Sequence, residues 1–386
     1  MPSALAARWS LDPAVVYLNH GSYGACPVAV QEAQAELRRE LEAEPVDFLS
    51  RRLQPRMDAA REELSAFLGA DPADLAFVPN ATTGVNAVLR SLDFGPGDEL
   101  LTTSHAYAAC RKTLDFVAAR SGATVVVAAL PFPCPSDDAV VDAVLASVTP
   151  HTRLALLDHV TSPTAMVLPL RRLVDGLRER GVETLVDGAH APGMVALELD
   201  ALGAAYYTGN AHKWLCAPKG SAFLHARRDR QAGLHPLVTS HGSGRGFHAE
   251  FDWTGTVDPS PWLCIPEALR TVGAMLPGGW PAVMAANREL ALGMRGLLCE
   301  RFGLPAPCPG SMVVAMAALP LPAADSGSPA ARLDPDALAA WFRERGVEGW
   351  FYHHPVPVMR LSAQRYNTLD DAARFADLLE EALRGG

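Results

Sequence analysis

Between about residues 75 and 225, short apolar runs alternate with segments whose apolar residues recur at helical spacing. The runs Leu75–Val78, Glu99–Thr102, Thr124–Ala128, Leu154–His159, Thr184–Asp187, Ala205–Thr208 and Ser221–His225 read as strands. Thr83–Ser91, Ala108–Ser121, Ser136–Ser147 and Leu170–Gly181 read as helices, with glycine or serine marking their ends. This alternation predicts an α/β domain around a largely parallel sheet. Ahead of it, Pro27–Glu44 and Pro55–Leu68 have the pattern of amphipathic helices.

The pattern changes after Pro259. Ile265–Met275, Pro281–Phe302, Pro335–Gly346 and Thr368–Arg384 read as helices, and Met312–Leu319 and Met359–Leu361 as strands. Leu321–Arg332, rich in Pro, Ala and Ser, reads as a surface loop. The mixture predicts a smaller α+β domain over 266–386, with residues 15–265 forming the larger one and 1–14 packing against the smaller.

Composition narrows the class. Over 386 residues, 49% hydrophobic and 20% charged content excludes a disordered chain. A net charge of −10 argues against nucleic-acid or anionic-membrane partners. With no basic start leading into an apolar run, and no long apolar stretch, the expected location is the cytoplasm. The seven cysteines are scattered, without CxxC or Cys/His clusters, so they read as reduced thiols and no metal site is expected. Lysine occurs only at Lys112, Lys213 and Lys219, which leaves few candidates for amine chemistry.

Ligands of an open α/β sheet gather at the carboxyl ends of its strands. The first strand runs into Pro79-Asn80-Ala81-Thr82-Thr83-Gly84, a hydroxyl-bearing turn opening a helix; it suits a phosphate, or is an ordinary cap. Thr184–Asp187 ends in a carboxylate that, if buried, needs a cationic partner, unless it merely caps the next turn. Lys213 follows another strand end between His212 and Trp214, where apolar surroundings favour a free amine able to form a Schiff base. A phosphate turn, a carboxylate for a pyridinium and an amine for an aldehyde together describe pyridoxal 5′-phosphate.

The sequence resembles the class V aminotransferase superfamily of fold-type I pyridoxal-phosphate enzymes, in its isopenicillin N epimerase-like branch. The resemblance rests on Tyr17-Leu18-Asn19-His20-Gly21-Ser22-Tyr23-Gly24, Ser104-His105-Ala106-Tyr107, Asp158-His159-Val160-Thr161-Ser162-Pro163-Thr164, Asp187-Gly188-Ala189-His190, Thr208-Gly209-Asn210-Ala211-His212-Lys213-Trp214 and Trp253-Thr254-Gly255-Thr256. It implies a large domain with a mostly parallel seven-stranded sheet and a smaller α+β C-terminal domain. It also implies that Lys213 carries the cofactor, that Asp187 pairs with the pyridine nitrogen, and that Tyr107 stacks on the ring. His190 and Ser162 would lie near the phenolic oxygen, and Thr82, Thr83, Asn210 and His212 near the phosphate. Thr256 would reach across the interface of a homodimer with shared active sites. Arg360 would clamp the carboxylate of an amino-acid substrate, with Asn19 and His20 on the substrate side.

Two departures, Ala106 in place of an acidic residue and a short segment between His241 and Trp253, weigh against a bulky tripeptide substrate. The stretch from Gly346 to Met359 holds Tyr352, His353 and His354 but no cysteine, so persulfide formation there is not expected. The expected activity is epimerisation or racemisation at Cα; the alternatives are β-elimination from a cysteine conjugate and an inactive scaffold.

Overall fold

The computed structural model describes residues 3–322, 334–353 and 355–384. In chain order the strands are β1 (Val16–Tyr17), β2 (Leu75–Val78), β3 (Glu99–Thr103), β4 (Thr124–Ala128), β5 (Thr152–Asp158), β6 (Glu183–Asp187), β7 (Tyr206–Asn210), β8 (Ala222–Ala226), β9 (Met316–Pro320), β10 (Val347–Glu348), β11 (Trp350–Tyr352) and β12 (Val358–Ser362). Seven of them form the central sheet in the order β2-β8-β7-β6-β5-β3-β4. β8 runs antiparallel to both its neighbours, and the other pairings are parallel.

The strand interiors read as unbroken apolar runs because both faces of this sheet are covered. Successive residues point to opposite sides, so Ala155 and Leu157 of β5 enter one buried cluster, and Leu154 and Leu156 enter the other. Phe77, Leu101, Val186 and Phe223 join the first cluster; Ala76, Leu100, Leu185 and Leu224 join the second. Moving any strand by one residue would exchange the two sets, which pins the register at the strand ends.

The C-terminal region is smaller. β11-β12-β9 form an antiparallel sheet, and Phe342, Phe351 and Phe375 pack with ring centroids 4.6–5.9 Å apart behind it. The expected strand Met312–Leu319 starts later, at Met316, because pairing with β12 runs only from Met316↔Ser362 to Pro320↔Val358. Gly310–Met312 is instead a 3₁₀ turn. Of the expected loop Leu321–Arg332, residues 323–332 lie outside the described residues.

The N-terminal segment joins this region. β1 pairs in parallel with β10, the Trp9 ring meets Tyr366 edge-on at 5.1 Å, and Ser3 Oγ donates to the Arg365 carbonyl at 2.6 Å. The chain then turns through the short helix His20–Tyr23, where His20 meets the Lys213 carbonyl just past the end of β7.

Candidate active site

Asp158 on β5, Asp187 on β6 and Thr208 on β7 are register partners, so three strand ends lie side by side. The turns leaving them enclose a cavity of about 470 Å³ bordered by Thr82, Tyr107, Asp187, His190 and Lys213, among others.

One end of this cavity suits an anion. Asn80 caps the helix Ala81–Ser91, its Oδ1 accepting from the Thr83 N–H at 2.8 Å and from Thr83 Oγ1 at 3.1 Å. Asn210 Oδ1 accepts from the Ala81 N–H at 2.8 Å, tying the helix start to the end of β7. Thr82 and His212 border the cavity beside it. His212 donates from Nδ1 to the Ser221 carbonyl at 3.0 Å, and burial brings its pKa down to about 4, so the ring is neutral. The unpaired amides and dipole of a helix start stabilise negative charge.

The floor holds two buried carboxyls. Asp187 Oδ2 accepts from the Cys110 thiol at 3.1 Å, and Oδ1 from the Ala189 N–H at 3.0 Å. Among the described residues, no basic side chain lies within ion-pair distance of Asp187, although it is only 3% exposed. Beside it, burial and then the Asp187 charge push the Asp158 carboxyl well above the ordinary range, which favours its protonated form.

Lys213 follows β7. Its Nζ lies 3.2 Å from His190 Nε2, and Trp214 Nε1 donates to His190 Nδ1 at 3.5 Å. Burial, followed by the Arg360 charge, brings the lysine down to about 8, with Asp187 opposing. His190 falls well below its ordinary value by burial and the Lys213 charge, so it is neutral.

Arg360 projects from β12 and is 1% exposed. Its Nη1 donates to the Ser162 carbonyl at 2.7 Å and Oγ at 3.3 Å, and Nη2 to Asn19 Oδ1 at 3.3 Å and Ser22 Oγ at 3.2 Å. Its Nε has no partner, and among the described residues no carboxylate pairs with the guanidinium. Such a buried, under-satisfied cation is suited to an incoming carboxylate.

Residues 16–262 match the family model described as aminotransferase class-V. The chain is 36% identical to an isopenicillin N epimerase of Streptomyces clavuligerus over 98% of this chain and 97% of that one. The chain belongs to the class-V aminotransferase family. A probable chloroplastic L-cysteine desulfhydrase of Arabidopsis thaliana is also similar, 31% identical over 97% of this chain and 84% of that protein. Among solved structures, the cysteine desulfurase of Thermococcus onnurineus NA1 superposes with a TM-score of 0.81 at 18% identity, covering 100% of this chain and 99% of that one. A cystine C–S lyase in complex with cysteine persulfide gives 0.79 at 20% identity, covering 95% and 97%. These likenesses establish the fold-type I architecture, and this class-V protein is a pyridoxal 5′-phosphate-dependent enzyme.

The donor set fits that cofactor. An anion-binding helix start, a buried carboxylate without a cation and a lysine of lowered pKa surround one cavity. Of the residues singled out in the sequence, Thr82, Tyr107, Ser162, Asp187, His190, Asn210, His212 and Lys213 border it. Thr83 is instead engaged by the Asn80 cap, and Asn19 stands behind Arg360. His20 does not face the cavity: its Nδ1 meets Tyr366 Oη at 2.8 Å and its Nε2 the Lys213 carbonyl at 3.0 Å. Thr256 is exposed and outside the cavity of this chain.

Ser22, Tyr23 and Asp158 border the cavity without having been singled out as site residues. Asp158 opens a motif carrying the resemblance, but its closeness to Asp187 depends on sheet register, which the sequence does not display. Tyr352 also reaches the site, with Oη 3.2 Å from Ser162 Oγ and its ring 5.2 Å from the Arg360 guanidinium carbon. His353 is exposed near Asp336, and His354 lies outside the described residues.

Proposed function

We propose that the protein is an epimerase or racemase acting at Cα of an amino acid or of a small molecule containing one. The observation that carries this reading is the 36% identity to an isopenicillin N epimerase along nearly the whole of both chains. When bound, pyridoxal 5′-phosphate supplies an electron sink that makes the Cα proton of an attached amino acid acidic.

This chain's residues supply the rest. Lys213 would hold the cofactor through its amine. With a pKa of about 8, its amine can release and recover a proton near neutral pH, and it is our candidate base at Cα. Asp187 keeps the ring nitrogen protonated, Thr82 and the helix start hold the phosphate, and Arg360 takes the substrate carboxylate as a fork. Inversion also needs a protic group on the other face. The Tyr107 phenol, which borders the cavity and is protonated near neutral pH, is our candidate for it. We further propose a homodimer in which Thr256 serves the partner's site.

A second reading, loss of a β-substituent from a cysteine or its conjugate, is favoured by similarity to the L-cysteine desulfhydrases. The two readings separate in deuterated water with single enantiomers of amino acids and cysteine conjugates. Epimerisation places deuterium at Cα, inverts configuration and releases no keto acid. Elimination yields pyruvate, ammonia and a thiol in step, and that outcome would replace the first reading with the second.

A further inference from the structure

The short turn at the start of the chain makes contacts in two directions. Asn19 and Ser22 meet Arg360 Nη2, and Ser22 Oγ donates to Asn19 Oδ1 at 2.6 Å. The turn is also stitched to β12: the Gly21 N–H donates to Ser362 Oγ at 3.0 Å, and the Ser362 N–H to the Leu18 carbonyl at 2.7 Å. Residues three or four apart share a face of a helical turn, so His20 and Gly24 are presented elsewhere. They lie against the backbone that carries Lys213. Gly24 has φ +71°, and a Cβ there would sit 2.0 Å from the His212 carbonyl oxygen and 3.0 Å from Lys213 Cα.

The backbone contacts of His20 assign its tautomer, against a longer 3.4 Å approach of the Gln364 amide nitrogen to Nε2. The Ala25 N–H, which can only donate, points at Nδ1 at 3.3 Å, and the Lys213 carbonyl, which can only accept, lies 3.0 Å from Nε2. The proton is therefore on Nε2, and Tyr366 donates its hydroxyl to Nδ1 at 2.8 Å. Burial brings the His20 pKa down to about 3, so the ring stays neutral across the working range. The Cys216 N–H donates to the same Lys213 carbonyl at 3.1 Å and closes a turn in which Cys216 holds φ +60°. A left-handed cysteine at zero exposure is strained backbone, kept in place by its surroundings. The His20 ring packs on Trp214 at 4.7 Å, and Trp214 in turn holds His190 beside Lys213 Nζ.

We propose that the segment Asn19–Gly24 is a spacer that fixes the Arg360 guanidinium relative to the Lys213 main chain. Within it, His20 is a positioning residue acting through the Lys213 carbonyl. This rests on reading Lys213 as the cofactor-bearing lysine and Arg360 as the carboxylate-binding group. Borohydride reduction of the wild-type holoenzyme, followed by peptide mapping, tests that reading by itself.

The spacer is tested with His20→Phe, which keeps a ring against Trp214 but loses the N–H, and with His20→Gln, which restores an amide donor. The readouts are the pH midpoint of the holoenzyme's visible absorption band, and kcat and KM separately. His20→Phe should move the midpoint by about half a unit or more and lower kcat about 10-fold with KM little changed; His20→Gln should recover most of both. Asn19→Ala and Ser22→Ala should raise KM about 10-fold while leaving the midpoint in place. If His20→Phe does not fold, as judged by circular dichroism, His20→Asn, whose amide is too short to reach the carbonyl, takes its place. An unmoved midpoint, or the same change in kcat and KM for His20→Phe and Asn19→Ala, overturns the spacer. Wild-type adduct recovered on Lys112 or Lys219 instead overturns the reading beneath it.

Discussion

Lys213 is half-buried at the cavity wall, and burial, followed by the Arg360 charge, places its pKa at about 8 against 10.5 for an ordinary lysine. Between those values the unfolded chain binds more protons than the folded one, so the apo-protein's unfolding free energy should rise as pH goes from about 8 to 10.5. Below 8 the full penalty applies, at most about 3 kcal/mol and less where pocket water reaches the amine. Lys213→Met apo-protein should therefore be more stable than wild type at pH 7, with the advantage shrinking by pH 10. Urea melts at the two pH values check this, and a constant advantage would count against a buried charge. Asp158 has the opposite sign. Its folded pKa lies above the ordinary 3.8, so its stabilising share is complete below that value and is lost as pH rises through the folded pKa. Asp158→Asn should gain stability relative to wild type between pH 4 and 7.5 and still bind cofactor, whereas Asp187→Asn should bind it weakly. Lys213 and Asp187 were legible in the sequence because each lies at or just past the end of an apolar run with strand character. Asp158 was not, because its burial and its closeness to the Asp187 carboxyl both follow from how the strands pair.

At the scale of elements, the central strands were legible almost to the residue. Each is an apolar run long enough to show its own pattern, as the fully buried β2 and the more exposed edge strand β4 both do. β1, β10 and β11 span two or three residues each, too short for any period, and exist only through their partners. The end of the cavity proposed to hold the phosphate depends on how closely one helix meets the sheet. A Cβ at Gly84 would lie 2.2 Å from Thr208 Oγ1 and 2.8 Å from its Cβ. Glycine to alanine inside a helix ordinarily adds about 0.5–1 kcal/mol; here the helix must lift instead. We expect Gly84→Ala to lose about 1–3 kcal/mol in a urea melt. Affinity for pyridoxal 5′-phosphate should fall more than affinity for unphosphorylated pyridoxal, since only the former uses the helix start. Adding Thr208→Ala should recover part of the loss. Equal losses for the two ligands would mean that this helix start does not hold the phosphate.

At the scale of the whole molecule, the sequence pointed to a contact that one chain does not contain. Thr256 lies on an exposed turn, flanked by the exposed Val257, while Tyr23 and Tyr107 stand 65% and 41% exposed at the cavity mouth. Apolar and aromatic surface at the entrance of a buried cofactor site is surface that a second copy can cover. If Thr256 serves the partner's phosphate site, Thr256→Asp puts a negative charge where an anion must bind, and its homodimer should be inactive. Lys213→Ala homodimers should be inactive as well. When equal amounts of the two variants are unfolded together and refolded, half of the dimers pair one chain of each kind. Each mixed dimer then holds one site with an intact lysine from one chain and an intact threonine from the other. The mixture should recover about one quarter of the wild-type activity, because one site in four is whole. Sedimentation velocity should show dimers at every step. Full activity in Thr256→Asp alone would show that the threonine faces no phosphate. No recovery on mixing, with mixed dimers present, would show that each site is built from one chain.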